Sequence, residues 1–333
     1  MAHGVDSSPL GVVSEMAPPR STQDDAGGEA APPQSLLARV VTLPWRMLVE
    51  MYRDPRLLFG LVLVALALAA IFAPLITSFD PLQYHPKDVG QPPSQTYPFG
   101  TDALGRDVLT RVIYATRISL SVALSAILLG GGIGTILGVL AGFLGGWVER
   151  LVGVAVDSLL AFPDLILALA IAAMLGASVG NLVIALAVVR IPVYARLARA
   201  QTLQVRSLQY VEAARGVGTP TLRLLRLHIL PNIFSPLLVQ ATISISFAIL
   251  AESTLSFLGL GAPPPTPEWG SMIAEAQPFL AGSDPWMILG PGLALILTVL
   301  SLNLFGDALR DRFDPRSATS GVSTRGAQRM PRA

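Results

Sequence analysis

Long apolar stretches dominate the chain and alternate with shorter polar segments. Six stretches have the length of a membrane-spanning helix: 57–76, 118–143, 151–175, 181–200, 233–257 and 286–305. A helix needs about 20 apolar residues to cross a hydrocarbon layer of about 30 Å, because each residue adds about 1.5 Å. The pattern therefore predicts an all-α, polytopic membrane protein with six transmembrane helices.

The composition separates the chain from ordinary soluble domains. Hydrophobic residues make up 52% of the sequence and charged residues 14%, and the mean hydropathy is +0.59. A soluble domain carries about 25% charged residues. The formal net charge of +1 lacks the basic excess of a nucleic-acid-binding protein, so we expect no nucleic-acid partner.

The sequence offers few groups for catalysis or for holding a cofactor. It has no cysteine, and its three histidines (His3, His85 and His228) are widely dispersed, so we expect no metal site. Lys87 is the sole lysine and no glycine-rich loop precedes it, which excludes a Walker A site for ATP. We expect neither enzymatic activity nor a bound cofactor in this chain.

The positions of the basic residues predict the orientation. With the N-terminus in the cytoplasm, 18 of the 23 Lys and Arg residues lie inside, four lie outside, and Arg190 lies within a span. This asymmetry satisfies the positive-inside rule. We therefore expect a multi-pass membrane protein with both termini in the cytoplasm.

The sequence divides into four parts. Residues 1–34 are rich in Pro, Gly, Ser and Ala and predict a disordered cytoplasmic tail. Residues 35–105 hold a predicted interfacial helix (35–53), the first span and an extracytoplasmic loop, although a solvated helix is an alternative for 35–53. The other five spans form a core at 106–306, and 307–333 form a C-terminal cytoplasmic tail.

Glycines recur at every fourth position of the second span. They are Gly130, Gly134, Gly138 and Gly142, and Gly146 continues the series. A spacing of four keeps these residues on one face of a helix, where the backbone of another helix can approach closely. The row predicts a seam for helix packing in preference to a ligand site.

Four ionisable residues within the predicted spans need an explanation, because charges are costly inside a membrane. Asp164 and Arg190 come out at similar depth, so they form either a structural ion pair or part of a pathway. Asp157 lies nearer the cytoplasmic end and either pairs with Arg190 or lines a pathway. We expect Glu252 near the outer boundary, where its charge costs little.

The segment 204–231, between the fourth and fifth spans, is too polar to cross a membrane. Ser207 is a candidate N-cap for a helix that contains Glu212. Gly216 and Gly218 then end this helix, because glycine tolerates the left-handed conformation found at helix C-termini.

A second helix follows in the same segment. Thr219 and Pro220 have the order of a cap and a first-turn proline, and Pro231 is expected to end the helix. The two helices predict a helix–turn–helix hairpin that projects into the cytoplasm and docks on a partner, with a merely solvated hairpin as the alternative.

Within this hairpin Glu212-Ala213-Ala214 is followed by Gly218 and then by Leu230-Pro231. The chain carries three further motifs in order: Phe99-Gly100-Thr101-Asp102 with Leu104-Gly105-Arg106-Asp107, Ser256-Phe257-Leu258-Gly259-Leu260-Gly261 with Pro267-Glu268-Trp269-Gly270, and Asp307-Ala308-Leu309-Arg310-Asp311 with Asp314-Pro315-Arg316. Together they resemble the C-type permease subunits of oligopeptide, dipeptide and nickel ABC importers, over about residues 50–316.

This resemblance implies the transmembrane domain of a type I importer in the bacterial inner membrane. It implies a second, related permease, two ATPase subunits that bind ATP and Mg²⁺, and an extracytoplasmic substrate-binding protein as partners. The hairpin becomes the element that couples ATP hydrolysis to transport. The resemblance assigns that role to Glu212, Ala213, Ala214, Arg215, Gly218, His228, Leu230 and Pro231.

Two other classes of function stand beside this one. An autonomous ion-coupled transporter would use Asp157, Asp164 and Arg190 and would transport without partners. A membrane-embedded enzyme requires convergent catalytic groups, which the sequence does not supply. Within the importer family the substrate stays open between peptides, nickel complexes and other small solutes.

Overall fold

The structure is a computed structural model that describes residues 55–279 and 284–313. The predicted tail at 1–34, the predicted interfacial helix at 35–53 and the last part of the C-terminal tail, 314–333, lie outside the described residues.

Within those residues the regular structure is helical. The principal helices are α1 (Leu58–Ile71), α2 (Val108–Leu144), α3 (Gly146–Leu160), α4 (Asp164–Leu175), α5 (Val179–Arg206), α6 (Gln209–Gly216), α7 (Leu230–Phe257), α8 (Trp269–Ala276) and α9 (Trp286–Phe313). The prediction of an all-α membrane protein is confirmed.

The six predicted spans differ in how they are built. Within the part of the chain that the structure describes, four helical stretches are long and apolar enough to cross a membrane: Val108–Leu144, Val179–Arg206, Thr221–Phe257 and Trp286–Arg312. The pair α3 and α4 makes a fifth if it counts as one broken span. The first apolar helix, Pro55–Ile71, is shorter than the others.

The third predicted span is not the single helix that its length suggested. It breaks between α3 and α4, whose axes differ by 89°. Pro163 lies at the break with φ −58° and ψ 131° and precedes the first residue of α4. Proline disfavours helical geometry at the residue before it and supplies no amide donor, so the helix stops there.

The glycine row of α2 packs directly on the backbone of α5. A Cβ atom added to any of these four glycines would lie 2.3–2.9 Å from a facing carbonyl oxygen of α5. The facing pairs are Gly130 with Ala187, Gly134 with Ile191, Gly138 with Ala195, and Gly142 with Arg199. Both helices advance by four residues per contact, so this α2–α5 seam extends over more than three turns.

The seam ends at Gly142. Gly146, the next glycine in the series, lies at the start of α3, and no other atom lies within 4 Å of the position that its Cβ would take. The chain leaves the axis of α2 at Gly145, whose φ is +67°, so the four-residue spacing no longer maps onto one helix face.

Polar side chains cap both ends of α2. Asp107 accepts hydrogen bonds from the Thr110 amide at 2.8 Å and the Thr110 hydroxyl at 2.6 Å at the N-terminus of α2. At the other end Arg206, the last residue of α5, donates to the carbonyls of Gly142 and Phe143 at 3.2 and 3.0 Å. These bonds satisfy backbone groups that a helix leaves unpaired at its ends.

The remaining helices pack around this pair. Trp269 of α8 is fully buried, and its indole nitrogen donates to the Val112 carbonyl at 3.2 Å. It joins a core with Ile249 of α7 and Leu302 of α9. α8 therefore holds the N-terminal part of α2 against α7 and α9.

The seam predicts a large effect of adding one methyl group. We expect Gly138→Ala to lower the free energy of unfolding of the detergent-purified chain by about 1–3 kcal/mol, because its Cβ would lie 2.3 Å from the Ala195 oxygen. Gly132→Ala on the same helix is the matched control, since a Cβ there meets nothing within 4 Å. Equal thermal unfolding of the two variants would show that the seam does not hold the helices together.

Candidate functional site

The polar segment between α5 and α7 forms a hairpin, defined here as residues 207–231. Its first arm is α6, which ends in left-handed geometry at Gly218, with φ +80°. The Gly218 amide donates to the Arg215 carbonyl at 3.0 Å and the Thr219 amide donates to the Ala214 carbonyl at 3.2 Å. These two bonds form a Schellman motif, in which glycine is preferred.

The second arm of the hairpin runs straight into the membrane. It consists of Thr221–Leu224 and a π-helical turn at Leu225–Ile229, followed without a break by α7. The expectation that Pro231 ends this helix was wrong, because Pro231 lies in the first turn of α7. A proline is tolerated in a first turn, and the wider π turn before it relieves the clash that its ring makes in a regular helix.

Two caps predicted for the hairpin also differ from the structure. The Ser207 hydroxyl donates backwards to the Gln204 carbonyl at 2.9 Å, and Leu208 occupies the N-cap position of α6. Pro220, not Thr219, occupies the N-cap position of the second arm. Local spacing gave the two arms but not the residue at which each begins.

Contacts between the two arms make the hairpin a single unit. The rings of Tyr210 and His228 lie 5.8 Å apart, and the Asn232 amide donates to the Tyr210 hydroxyl at 3.1 Å and to the His228 carbonyl at 2.6 Å. Val211 and Leu224 are buried together with Phe143 at the end of the α2–α5 seam. The buried side chains of Val211 and Leu224 thereby pack the hairpin against α2 and α5.

The outer surface of the hairpin combines exposed apolar and charged side chains. Val217 is 83% exposed and Leu222 is 76% exposed. Glu212 and Arg215 are exposed beside them.

Three ion pairs connect the broken span to α5. Arg190 pairs with Asp164, Arg196 pairs with Asp157 at 2.9 Å, and Arg199 pairs with Glu149. The partner of Asp157 is thus Arg196 rather than Arg190. The predicted depth match of Asp164 and Arg190 brings their side chains into contact.

Glu252 is not at a boundary where its charge is exposed. It is fully buried on α7 and accepts hydrogen bonds from the hydroxyls of Ser119 at 3.2 Å and Ser253 at 3.1 Å. The expectation for Glu252 used only its distance along the predicted span, and that distance does not reveal which residues surround the side chain.

A second charged cluster lies at the end of the bundle opposite the hairpin, in the loop before α2 and on α8. Asp102 pairs with Arg106 at 2.6 Å and with Arg111 at 2.5 Å. Glu275 pairs with the same two arginines at 2.8 and 2.9 Å. The four residues line a cavity of about 250 Å³. Sequence reasoning missed this cluster because Glu275 is far away in the chain.

The comparisons with known proteins give the family. Residues 134–319 match the family described as binding-protein-dependent transport system inner membrane component. The dipeptide transport system permease protein DppC of Alkalihalophilus pseudofirmus is 41% identical over 275 residues, which cover 82% of this chain and 90% of that protein. The di/tripeptide permease DppC of Pseudomonas aeruginosa is 44% identical, over 78% of this chain and 86% of that protein.

Two further similarities fit the same class. The glutathione transport system permease protein GsiD of Pectobacterium atrosepticum is 39% identical over 83% of this chain and 92% of that protein. A chain of the methionine ABC transporter MetNI, in an inward-facing conformation, superposes with a TM-score of 0.50 over 60% of this chain and 94% of that chain, at 19% identity. At that identity the superposition shows the fold alone.

These results define a permease with the transmembrane fold of a type I ABC importer. The chain belongs to the family of binding-protein-dependent transport system inner membrane components. It is a multi-pass inner-membrane subunit of an ATP-driven importer, in a family whose membrane subunits are non-catalytic and work with ATPase and binding-protein components. The resemblance drawn from the sequence motifs is confirmed.

Asp102, Arg106, Arg111 and Glu275 are called here the loop-end charged cluster. Their ion pairs predict that Arg111 has a structural role. We expect Arg111→Gln to destabilise the chain by about 3–5 kcal/mol, because it leaves Asp102 and Glu275 with one cation fewer in a buried site. Arg117→Gln is the matched control on the same helix. It removes an exposed guanidinium that donates to the carbonyls of Ala70 and Ile71, at a cost of about 1 kcal/mol.

Thermal unfolding and limited proteolysis of the loop at 77–107 measure both effects. If Arg111→Gln unfolds and is cleaved no more readily than Arg117→Gln, the cluster does not hold the loop to α8.

Proposed function

We propose that this chain forms half of the translocation pathway of an importer for di- and oligopeptides. Support comes from its relatives, which belong to transport systems for dipeptides, di- and tripeptides, or glutathione, itself a tripeptide. A second homologous permease completes the pathway, and two ATPase subunits supply the ATP and Mg²⁺ sites. Nickel complexes and other small solutes are the alternatives that an uptake assay distinguishes.

The orientation that we propose for the chain follows from the distribution of its basic residues. The hairpin carries Arg215, Arg223 and Arg226, and basic residues accumulate on the cytoplasmic side of inner-membrane proteins. The hairpin end of the bundle is thus cytoplasmic, and so are both termini. The opposite end, with loops at 77–107 and 258–285, faces the extracytoplasmic binding protein.

The shape of the hairpin is the observation that supports its proposed role in coupling. It is a compact two-armed unit whose outer face exposes Val217 and Leu222 and whose inner face is buried against the end of the α2–α5 seam. The outer face docks in a groove of an ATPase subunit. When ATP closes the ATPases, the hairpin moves and shifts the bundle towards the state that the closed ATPases contact better.

Each residue of the predicted coupling set has a place in this unit. Glu212, Ala213, Ala214 and Arg215 form the last turns of α6, and Gly218 makes the turn between the arms. His228 holds the arms together against Tyr210. Leu230 and Pro231 join the second arm to the membrane helix. The exposed charges of Glu212 and Arg215 orient the hairpin on the ATPase subunit more than they strengthen its binding, because surface ion pairs contribute about 0–1 kcal/mol.

The turn of the hairpin provides the test. We expect Gly218→Pro to leave membrane insertion intact and to reduce ATP-driven peptide uptake at least tenfold. Proline cannot adopt the φ of +80° at this position and removes the amide that donates to Arg215. Gly216→Ala is the matched control, because it lies in helical geometry two residues away and a Cβ there meets nothing within 4 Å.

Uptake of labelled peptide and ATP hydrolysis are measured on the importer complex in proteoliposomes. Uptake by Gly218→Pro at the rate of Gly216→Ala would contradict the coupling role of the hairpin.

A further inference from the structure

The Asp164–Arg190 pair lies near the middle of the membrane. Asp164 begins α4, a helix of 12 residues that is about 18 Å long. Arg190 lies a similar distance, about 17 Å, from Val179 at the start of α5. Both distances are about half of a hydrocarbon layer of about 30 Å.

Asp164 is both charged and exposed in this chain, so its side chain is not expected to face lipid. Its side chain is 54% exposed in this chain, whereas that of Arg190 is 12% exposed. A carboxylate at mid-membrane depth faces protein or water, because its transfer to hydrocarbon costs several kcal/mol. The face that carries Asp164 is turned towards the interior of the assembled importer.

The break in the helix before Asp164 is independent support for a position that faces protein or water. Residues 161–163 interrupt the span at the same depth as the ion pair. Backbone that is not helical is tolerated inside a membrane only where protein covers it or where it lines an aqueous cavity. In transporters, broken helices of this kind supply ligand groups near the midplane.

A cavity of about 300 Å³ opens at this pair, between α4, α5 and α7. Its walls are mostly apolar, and the Phe247 ring lies 6.0 Å from the Arg190 guanidinium carbon. The volume is at the lower end of the range for small-molecule sites, about 300–1,000 Å³. An apolar pocket with one cation and one anion matches a small zwitterion that has apolar side chains.

We propose that this cavity holds the transported peptide during its passage and recognises its two charged termini. Arg190 binds the terminal carboxylate through its planar donor fork, and Asp164 accepts from the terminal ammonium group. A zwitterion replaces each half of the resident ion pair by a group of the same charge, so no buried charge is left unpaired. A solute with a single charge leaves either Asp164 or Arg190 without a partner.

A second cavity lies nearer the hairpin along α5. It has a volume of about 500 Å³ and lies between α3 and α5. The Asp157–Arg196 and Glu149–Arg199 pairs line it. Each pair offers a departing zwitterion the same exchange of partners as the first one.

The inference rests on the proposed peptide substrate and is tested on the intact importer complex. The variant is Asp164→Asn combined with Arg190→Gln, which removes both charges and nearly conserves size. The control is Arg56→Gln with Asp311→Asn, an ion pair of 2.8 Å between other helical segments, with side chains 39% and 58% exposed. Uptake of radiolabelled Ala-Ala, and of glutathione in parallel, is measured in proteoliposomes with saturating binding protein.

We expect the double variant to lower maximal uptake at least tenfold. The half-saturating peptide concentration and the stimulation of ATP hydrolysis by loaded binding protein should stay within twofold of the unmodified complex, because docking and coupling lie elsewhere. The control variant should transport at the unmodified rate. If the double variant instead releases the second permease from the complex, this face is a subunit interface and the inference is wrong.

A photo-crosslink separates binding from passage. Phe247→p-benzoylphenylalanine places a reactive group in the cavity, and Leu293→p-benzoylphenylalanine places one at a position of α9 that is 51% exposed and outside it. Labelled Ala-Ala should be captured at 247 and not at 293, and capture should disappear in the double variant. Equal capture at both positions overturns the inference.

The two proposals fail in different ways. If the unmodified complex imports neither peptide, the proposed peptide transport itself is wrong. If it imports peptide and the double variant does so equally fast, only the assignment of the Asp164–Arg190 cavity is wrong.

Discussion

The close approach of α2 and α5 is the constraint on which the other parts of this permease depend. Four glycines let the two backbones touch over more than three turns, so the pair behaves as one rigid body. The loop-end charged cluster is anchored at one end of the pair through Arg111, on the first turn of α2. The hairpin is anchored at the other end through Arg206 and the buried contacts of Val211. In the proposed function, partners on the two sides of the membrane therefore act on the same pair of helices.

The ionisable residues fall into two groups with different physical settings. Arg106 and Arg111 are almost completely buried and paired, so they fix a loop to α8 and are costly to disturb. Asp164 and Asp157 are more than half exposed in this chain although they belong to a broken span. We infer that the rest of the assembly keeps charges of the second kind away from lipid, and the proposed path of the peptide runs along them.

Much of this arrangement could be predicted from periodicity and spacing. The four-residue spacing of the glycines gave the face that packs, and the turn at Gly218 followed from the conformational freedom of glycine. The continuity of the second arm through Pro231 was missed, because a π turn has no sequence signature of its own. The contacts of Glu275 were missed because distance along the chain says nothing about which loops meet at the end of a bundle.

The proposed function requires that the hairpin lies on the cytoplasmic side and is covered there by the ATPase subunits. The sequence contains no cysteine, so single cysteines can be introduced without a background. The exposed positions 217 and 95 mark the two ends of the bundle. A membrane-impermeant maleimide should label Gln95→Cys in spheroplasts. It should label Val217→Cys only in inside-out vesicles, more slowly when the ATPase subunits are bound. Labelling of Val217→Cys in intact spheroplasts would contradict the account.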